Sequence, residues 1–203
     1  MHKTNPIDFS TFIHGYLQNI TNSFDEINTQ EITNLSKTMY NCWVNKKRVF
    51  LCGNGGSAAN ALHIANDFIY GVGVNREFDN LAGLDVEALT SNSAIITCLA
   101  NDTGYDNIFA KQLFAKGSKD DLLIVLSGSG NSKNIEAAIL CAKTLGMRTA
   151  GIFAFEGGTC LDKVDIPIHF KINDMQVAED LQLIVGHMCM KWLNSKKFDC
   201  KDV

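Results

Sequence analysis

The sequence predicts a single α/β domain: a doubly wound, five-stranded parallel sheet between helices, preceded by an N-terminal helical extension. The first observation is the length of 203 residues, which suits one α/β domain with a full core and is short for two. The second is a series of five short apolar runs that alternate with helical patterns from Arg48 onward. The third is that only helical patterns precede Arg48.

The N-terminal segment predicts two amphipathic helices separated by a polar break at Asn28 and Thr29. Apolar residues recur at spacings of three and four in both halves: Phe9, Phe12, Ile13, Tyr16, Leu17 and Ile20, then Ile32, Leu35, Met39 and Trp43. Isolated helices of this length are marginally stable, so their apolar faces are expected to pack on the later domain or on another subunit. We therefore predict that residues 1–45 belong to the core of an oligomer and that residues 46–203 form the α/β domain.

The five apolar runs predict the strands. They are Val49–Cys52, Val86–Leu89, Leu122–Leu126, Thr149–Phe153 and Ile166–Phe170. Parallel strands buried on both faces show such continuous apolar runs, and open parallel sheets bind ligands at the carboxyl ends of their strands. Functional residues are therefore expected directly after these runs.

Charge and composition exclude several classes of function. With 18 Lys and Arg against 22 Asp and Glu, the net charge is −4, so a nucleic-acid partner is not expected. No apolar run approaches the roughly 18 residues of a membrane span. The N-terminus lacks the pattern of a secretion signal, which predicts a cytoplasmic protein. The seven cysteines form no CxxC pair or even framework and are interpreted as reduced thiols.

Two Gly/Ser-rich loops follow predicted strands. The first, Asn54-Gly55-Gly56-Ser57, leads into a helix that is expected to begin near Ala58; the second, Ser127-Gly128-Ser129-Gly130-Asn131-Ser132, leads into a helix over 133–145. Glycines let backbone amides approach an anion, and a helix N-terminus favours negative charge. Neither loop is a Walker motif or a GxGxxG fingerprint in its usual context, so no nucleotide is expected. Either loop alone is an ordinary turn, but the two together predict a site for a phosphate or phosphosugar.

Three segments carry a resemblance to a known family. They read CGNGGSAANALHIANDF, ANDTGYDNIF and VLSGSGNSKNI, in this order. With their spacing, these three segments resemble the sugar isomerase (SIS) family, and within it the bacterial phosphoheptose isomerases. The resemblance implies a five-stranded parallel sheet, a homotetramer, and conversion of sedoheptulose 7-phosphate to D-glycero-D-manno-heptose 7-phosphate for surface polysaccharides such as lipopolysaccharide and capsule.

The resemblance also implies site residues. The matching substrate and phosphate positions are Asn54, Gly55, Gly56, Ser57, Asp102, Ser127, Ser129 and Ser132. Gly128 stands where the isomerases usually have threonine, so one hydroxyl contact is lost. For Asp102, a structural role as cap of the segment that starts near Tyr105 is an equally plausible alternative.

Two helices carry polar residues set apart from their apolar stripes. Asn60, His63 and Asp67 share one face of the first, and Glu179 and His187, eight residues apart, lie nearly on one face of the last. In the resembling isomerases the positions of His63, Asp67, Glu179 and His187 are typically His, Glu, Gln and His, and some members hold zinc there. Taken singly, each of these residues is better interpreted as a packed histidine or a solvent-exposed charge than as a functional residue.

The four residues together predict chemistry of one of two kinds. His63, Asp67, Glu179 and His187 offer the nitrogen and oxygen donors of a zinc site, while His187 with Asp67 or Glu179 would equally serve a metal-free acid/base reaction. Three functions remain open on sequence alone: a phosphoheptose isomerase, an isomerase of another phosphosugar, and a non-catalytic phosphosugar-binding module like the SIS protein that associates with the replication initiator.

Overall fold

A computed structural model describes residues 8–72 and 83–196. Seven α-helices lie within these ranges: α1 (Phe9–Asp25), α2 (Thr29–Val44), α3 (Gly56–Asn66), α4 (Ser93–Thr103), α5 (Ala110–Lys116), α6 (Lys133–Thr144) and α7 (Met175–Ser195). Five strands lie between them: β1 (Val49–Gly53), β2 (Val86–Ala88), β3 (Leu122–Ser127), β4 (Arg148–Phe153) and β5 (Ile166–His169). All five predicted strands are confirmed, with ends that shift by one residue.

The strands form one parallel sheet in the order β2-β1-β3-β4-β5. Every residue of β1 and β3 is buried, as expected for central strands covered by helices on both faces. The buried apolar residues form two clusters, which between them cover both faces of the sheet. The predicted doubly wound α/β architecture is confirmed.

The two N-terminal helices begin where the sequence places polar residues. The Asp8 side chain caps α1 by accepting from the amide of Thr11, and the Asn28 side chain caps α2 by accepting from the amide of Gln30. The polar break therefore marks a helix start because a short side-chain acceptor satisfies an amide that has no partner inside the helix.

The two helices differ in what they bury. Helix α2 places Leu35, Met39 and Trp43 in the larger core cluster, together with residues of the sheet and α7. Helix α1 instead leaves most of its large apolar side chains exposed, and Tyr16 ties it to α7 through a hydrogen bond from its hydroxyl to Asp180 at 2.7 Å. Packing on the later domain is confirmed for α2 and for the face of α1 that carries Tyr16, Ile20 and Phe24, which packs against the same cluster. The boundary at residue 45 and the oligomer core stay predictions.

The described cysteines form no disulfide with one another, and most are buried. Burial raises the pKa of Cys42 and of Cys189 to about 11, and it also raises the pKa of Cys52 beside the first loop. These thiols are therefore poor nucleophiles at neutral pH. In the described ranges no helix combines the length and the apolar character that crossing a membrane requires.

Candidate active site

The two Gly/Ser loops lie side by side because β1 and β3 are neighbouring parallel strands. They line one cleft of about 290 Å³ together with the start of α7; its residues are Asn54, Gly55, Gly56, Ser57, Leu126, Ser127, Gly128, Ser129, Ser132, Met175 and Glu179. All the predicted substrate- and phosphate-binding residues except Asp102 are among them. The lining residues that the structure describes include no Lys or Arg, so an anion bound here would be held by hydroxyls and amides.

The first loop directs a helix N-terminus at the cleft. Gly55 precedes α3 with φ of 57° and ψ of −125°, a conformation that side chains rarely allow. Helix α3 then starts at Gly56, two residues before the expected Ala58. The first amides of a helix have no partner within it and carry partial positive charge, which suits a phosphate oxygen.

The second loop presents its serines in different ways. The Ser127 hydroxyl accepts from the amide of Gly130 at 3.1 Å, and that of Ser129 accepts from the amide of Asn131 at 3.3 Å. Ser132 occupies the N-cap position of α6, but its side chain makes no capping hydrogen bond. A hydroxyl that accepts from the backbone keeps its own hydrogen for another acceptor, so these serines can donate to an anion.

A pair of asparagines connects the loops. The amides of Asn54 and Asn134 exchange two hydrogen bonds of 2.9 Å, and the Tyr105 hydroxyl donates to Oδ1 of Asn54 at 2.9 Å. Asn134 is buried in the first turn of α6. Asn54 is thus held in one orientation by two residues that were not among the predicted site residues, since both lie outside the two Gly/Ser-rich loops although within the segments that carry the family resemblance.

The predicted polar helix faces bring three residues together. Nε2 of His63 lies 3.0 Å from Nε2 of His187, and Oδ2 of Asp67 lies 3.5 Å from the former and 3.2 Å from the latter. Asp67 opens a π-helical turn, Asp67–Gly71, that continues α3. Such turns are frequent at functional sites. These three residues form the His–Asp–His cluster.

Glu179 does not belong to that cluster. Ligand atoms of His63, Asp67 and His187 all lie within 4.8 Å of one another, and among the described residues no fourth acidic or thiol group joins them. Eight residues of α-helix separate Glu179 from His187 by about 12 Å along the axis and about 80° around it. The Glu179 carboxylate instead lies over Gly56, where a Cβ would overlap it. The expected four-residue zinc shell is therefore corrected to three residues.

Asp102 lies outside the cleft. It is exposed in the last turn of α4, where its carboxylate accepts hydrogen bonds from Cys98 and Asn101. The segment Tyr105–Asn107 is preceded by Gly104 and has no side-chain cap, so the alternative capping role of Asp102 is wrong. Its substrate role stays a prediction.

Asn60 takes part in a buried network instead of the His–Asp–His cluster. Its Nδ2 donates to the carbonyl of Glu179 at 2.9 Å and to Oε1 of Gln182 at 3.0 Å, and Nε2 of Gln182 donates to the Ser57 hydroxyl at 3.0 Å. Gln182 is another residue that the sequence analysis missed. The sequence did contain a signal for Gln182, because it is a polar residue on the helix face that otherwise carries the buried apolar residues of α7.

Known proteins share both the sequence and the fold. The SIS domain family matches residues 15–154. A phosphoheptose isomerase of Clostridium acetobutylicum is 38% identical over 142 residues, 70% of each chain, and one of Synechocystis is 31% identical over 96% of this chain and 97% of its own. The structure of a phosphoheptose isomerase from Francisella tularensis superposes with a TM-score of 0.83 at 26% identity, covering 93% of this chain and 97% of that one. The chain belongs to the SIS domain family.

Proposed function

We propose that the protein is an aldose–ketose isomerase that interconverts sedoheptulose 7-phosphate and D-glycero-D-manno-heptose 7-phosphate. The observation that carries the proposal is the position of two sites along the same helices. The N-terminal ends of α3 and α7 border the Gly/Ser cleft, and the His–Asp–His cluster lies further along α7 and along α3 with its π-helical continuation. The relatives named phosphoheptose isomerase support the heptose as substrate.

The spacing along the two helices suits an open-chain phosphosugar. His63 follows Ser57 by six residues, and His187 follows Glu179 by eight, which corresponds to about 9 Å and about 12 Å of helix. With C–C bonds of about 1.5 Å, an extended seven-carbon chain places carbons 1 and 2 roughly 9 Å from a phosphate on carbon 7. A phosphate in the cleft would therefore bring the reacting carbons to the cluster.

Each part of the site has a role in this reaction. Asn54, Gly55, Gly56 and Ser57 on one side and Ser127, Ser129 and Ser132 on the other would hold the phosphate, and that binding energy orients the open chain. His187 would remove a proton from one carbon and return it to the next, through an enediolate. Asp67 lies 3.2 Å from its ring nitrogen and would stabilise the protonated imidazole.

The cluster also fits a zinc ion. Two imidazole nitrogens and a carboxylate oxygen are the donor types zinc prefers, and three protein ligands leave a position open as in catalytic sites. Zinc held by His63, Asp67 and His187 would polarise the substrate carbonyl and stabilise the developing negative charge on its oxygen. We propose zinc on this donor set, with Glu179 outside it, as the alternative to proton transfer by His187, because a ring nitrogen that binds zinc has no lone pair free to accept a proton.

Two features of the cleft favour a second candidate, an isomerase of another phosphosugar. Glu179 adds a carboxylate to the cleft, and the Met175 side chain fills the space where a Cβ at position 128 would lie. Both change the surroundings of the substrate relative to the usual isomerase pattern. A non-catalytic phosphosugar-binding module is the third candidate and would need no acid/base cluster.

We further propose a cytoplasmic homotetramer that serves surface polysaccharide synthesis. Its contact surface would include α1, because Phe9, Phe12 and Leu17 are 72%, 54% and 57% exposed. Apolar side chains grouped in this way usually mark an interface. Light scattering at micromolar concentration tests it, and a sharp monomer mass would contradict it.

One assay tests the reaction. The protein is incubated with sedoheptulose 7-phosphate, with and without added zinc, and the aldose product is measured. Formation of the heptose 7-phosphate supports the proposal. Activity on a different phosphosugar only would favour the second candidate, and binding of phosphosugars without turnover in either condition would favour the third.

A further inference from the structure

We infer that Gln182 is a positioning residue. It donates a hydrogen bond to the Ser57 hydroxyl and so leaves the hydrogen of that hydroxyl available to an anion in the Gly/Ser cleft. This inference rests on the phosphosugar-binding role proposed above. Gln182 lies on α7 and is 1% exposed, and Ser57 lies in the first turn of α3 and is 4% exposed. Buried amides and hydroxyls are costly unless hydrogen-bonded, so this contact is a specific arrangement.

The direction of each hydrogen bond in the network follows from one fixed group. The backbone carbonyl of Glu179 can only accept, so the atom of Asn60 that faces it at 2.9 Å must be the amide nitrogen. The same nitrogen faces Gln182 at 3.0 Å, so the Gln182 atom there must be the oxygen. The Gln182 nitrogen is thereby left to face Ser57 Oγ.

Ser57 Oγ is therefore the acceptor in its contact with Gln182. Its own hydrogen points elsewhere, and among the described residues no acceptor for it is found. Ser57 lines the cleft, where a phosphate oxygen would supply that acceptor. A hydroxyl that already accepts a hydrogen bond is a stronger donor, because bonds in a chain polarise one another.

The inference predicts that Gln182→Met weakens binding of inorganic phosphate. Methionine is unbranched and similar in size, so the variant removes the amide while the volume is kept. We expect a three- to tenfold higher Kd by isothermal titration calorimetry, roughly the effect of one hydrogen bond. If Gln182→Met does not fold, Gln182→Glu replaces it: it keeps the oxygen that faces Asn60 but presents an acceptor to Ser57, and weaker binding is expected again.

A matched control separates positioning from general loss of stability. Gln112 is also a buried glutamine, but its amide donates to the carbonyls of Leu89 and Ile108, and it does not line the cleft. Gln112→Met should lower the melting temperature while leaving phosphate affinity within twofold. Weakening of phosphate binding by Gln112→Met to the same extent as by Gln182→Met would overturn the inference.

A double-mutant cycle tests whether Gln182 acts through Ser57. Ser57→Ala should weaken phosphate binding, and adding Gln182→Met to Ser57→Ala should change the Kd no further. Additive effects, or a Gln182→Met variant that binds phosphate like the wild type, would overturn the inference. If the phosphate results hold but no heptose phosphate is isomerised, the proposed reaction fails and the positioning role stands.

Discussion

Nε2 of His63 and Nε2 of His187 face each other at 3.0 Å, although 124 residues separate them in the chain. Two imidazole nitrogens at this distance either share one proton or face a common cation, because two N–H groups or two lone pairs would repel each other. Oδ2 of Asp67 lies within 3.5 Å of both nitrogens, so an anionic oxygen completes the group. This relationship between α3 and α7 is the basis of the first two predictions.

The first prediction is that the protein binds zinc at about one ion per chain and that His63→Ala abolishes this binding. Removing one of three donors leaves two, too few for a stable zinc site in this cluster. Elemental analysis after dialysis against zinc and then against buffer measures it. His14→Ala is the matched control, since His14 is exposed on α1 and bonds only to the carbonyl of Ser10 among the described residues. A wild type that retains no zinc contradicts the metal proposal.

The second prediction is that His187→Ala lowers turnover of the heptose phosphate by about 10²–10⁴, the range for loss of a general acid or base. The Gly/Ser cleft lies toward the other end of α7, so affinity for inorganic phosphate should stay within twofold. Steady-state kinetics and calorimetry on the same preparations separate the two effects. Turnover within tenfold of the wild type would remove His187 from the reaction.

The third prediction concerns Glu179, whose carboxylate lies in the cleft that would hold the phosphate. Glu179→Gln removes a like charge from beside the anion, and we expect a three- to tenfold lower Kd for inorganic phosphate, about 0.7–1.4 kcal/mol. Glu26→Gln, at the end of α1, makes the same charge change outside the cleft and should leave the affinity unchanged.

The turnover of Glu179→Gln identifies the carboxylate of the reaction. Since Asp67 and not Glu179 lies beside the two histidines, we expect turnover to be retained. Collapse of turnover with unimpaired phosphate binding would instead make Glu179 the base.

The sequence predicted the strands well because buried parallel strands are continuous apolar runs, as in Leu122–Leu126. The proximity of His63 and Asp67 was also predictable, since residues at i and i+4 share one face of a helix, and His187 stood apart as a polar position on α7. The catalytic and metal-binding roles of these three residues stay predictions. Glu179 was misplaced because a spacing of eight drifts about 80° around a helix. The strand order and the partners of Asn54 and Ser57 depend on contacts between distant segments, which the local pattern of a sequence does not reveal.

The fourth prediction is that the serine hydroxyls of the second loop carry phosphate affinity. Ser132→Ala should weaken binding by roughly 0.5–1.5 kcal/mol, rising toward 3 kcal/mol because the acceptor is charged. Stability should change little, since the Ser132 side chain does not cap α6. Ser129→Ala should weaken binding similarly, and it also loses an acceptor for the amide of Asn131. Unchanged calorimetric affinity in both variants would mean that the loop is only a structural turn.

The fifth prediction is a pH-dependent contribution of Tyr16 to stability. The hydrogen bond from its hydroxyl to Asp180 raises the pKa of Tyr16 from 10.0 to about 12 in the folded protein. Because the folded state holds this proton more tightly, the stabilisation is fully present below pH 10 and is lost as the pH rises from 10 to 12. Tyr16→Phe removes the hydroxyl and leaves the ring.

The measurement for Tyr16 is the difference in unfolding free energy between wild type and Tyr16→Phe, obtained by urea titration at several pH values. Taking the difference cancels the titration of every other group that both proteins share. Wild type should be the more stable from pH 7 to pH 10, and the two should converge toward pH 12. A difference that stays constant across this range would show that the Tyr16–Asp180 hydrogen bond does not hold α1 against α7 in solution.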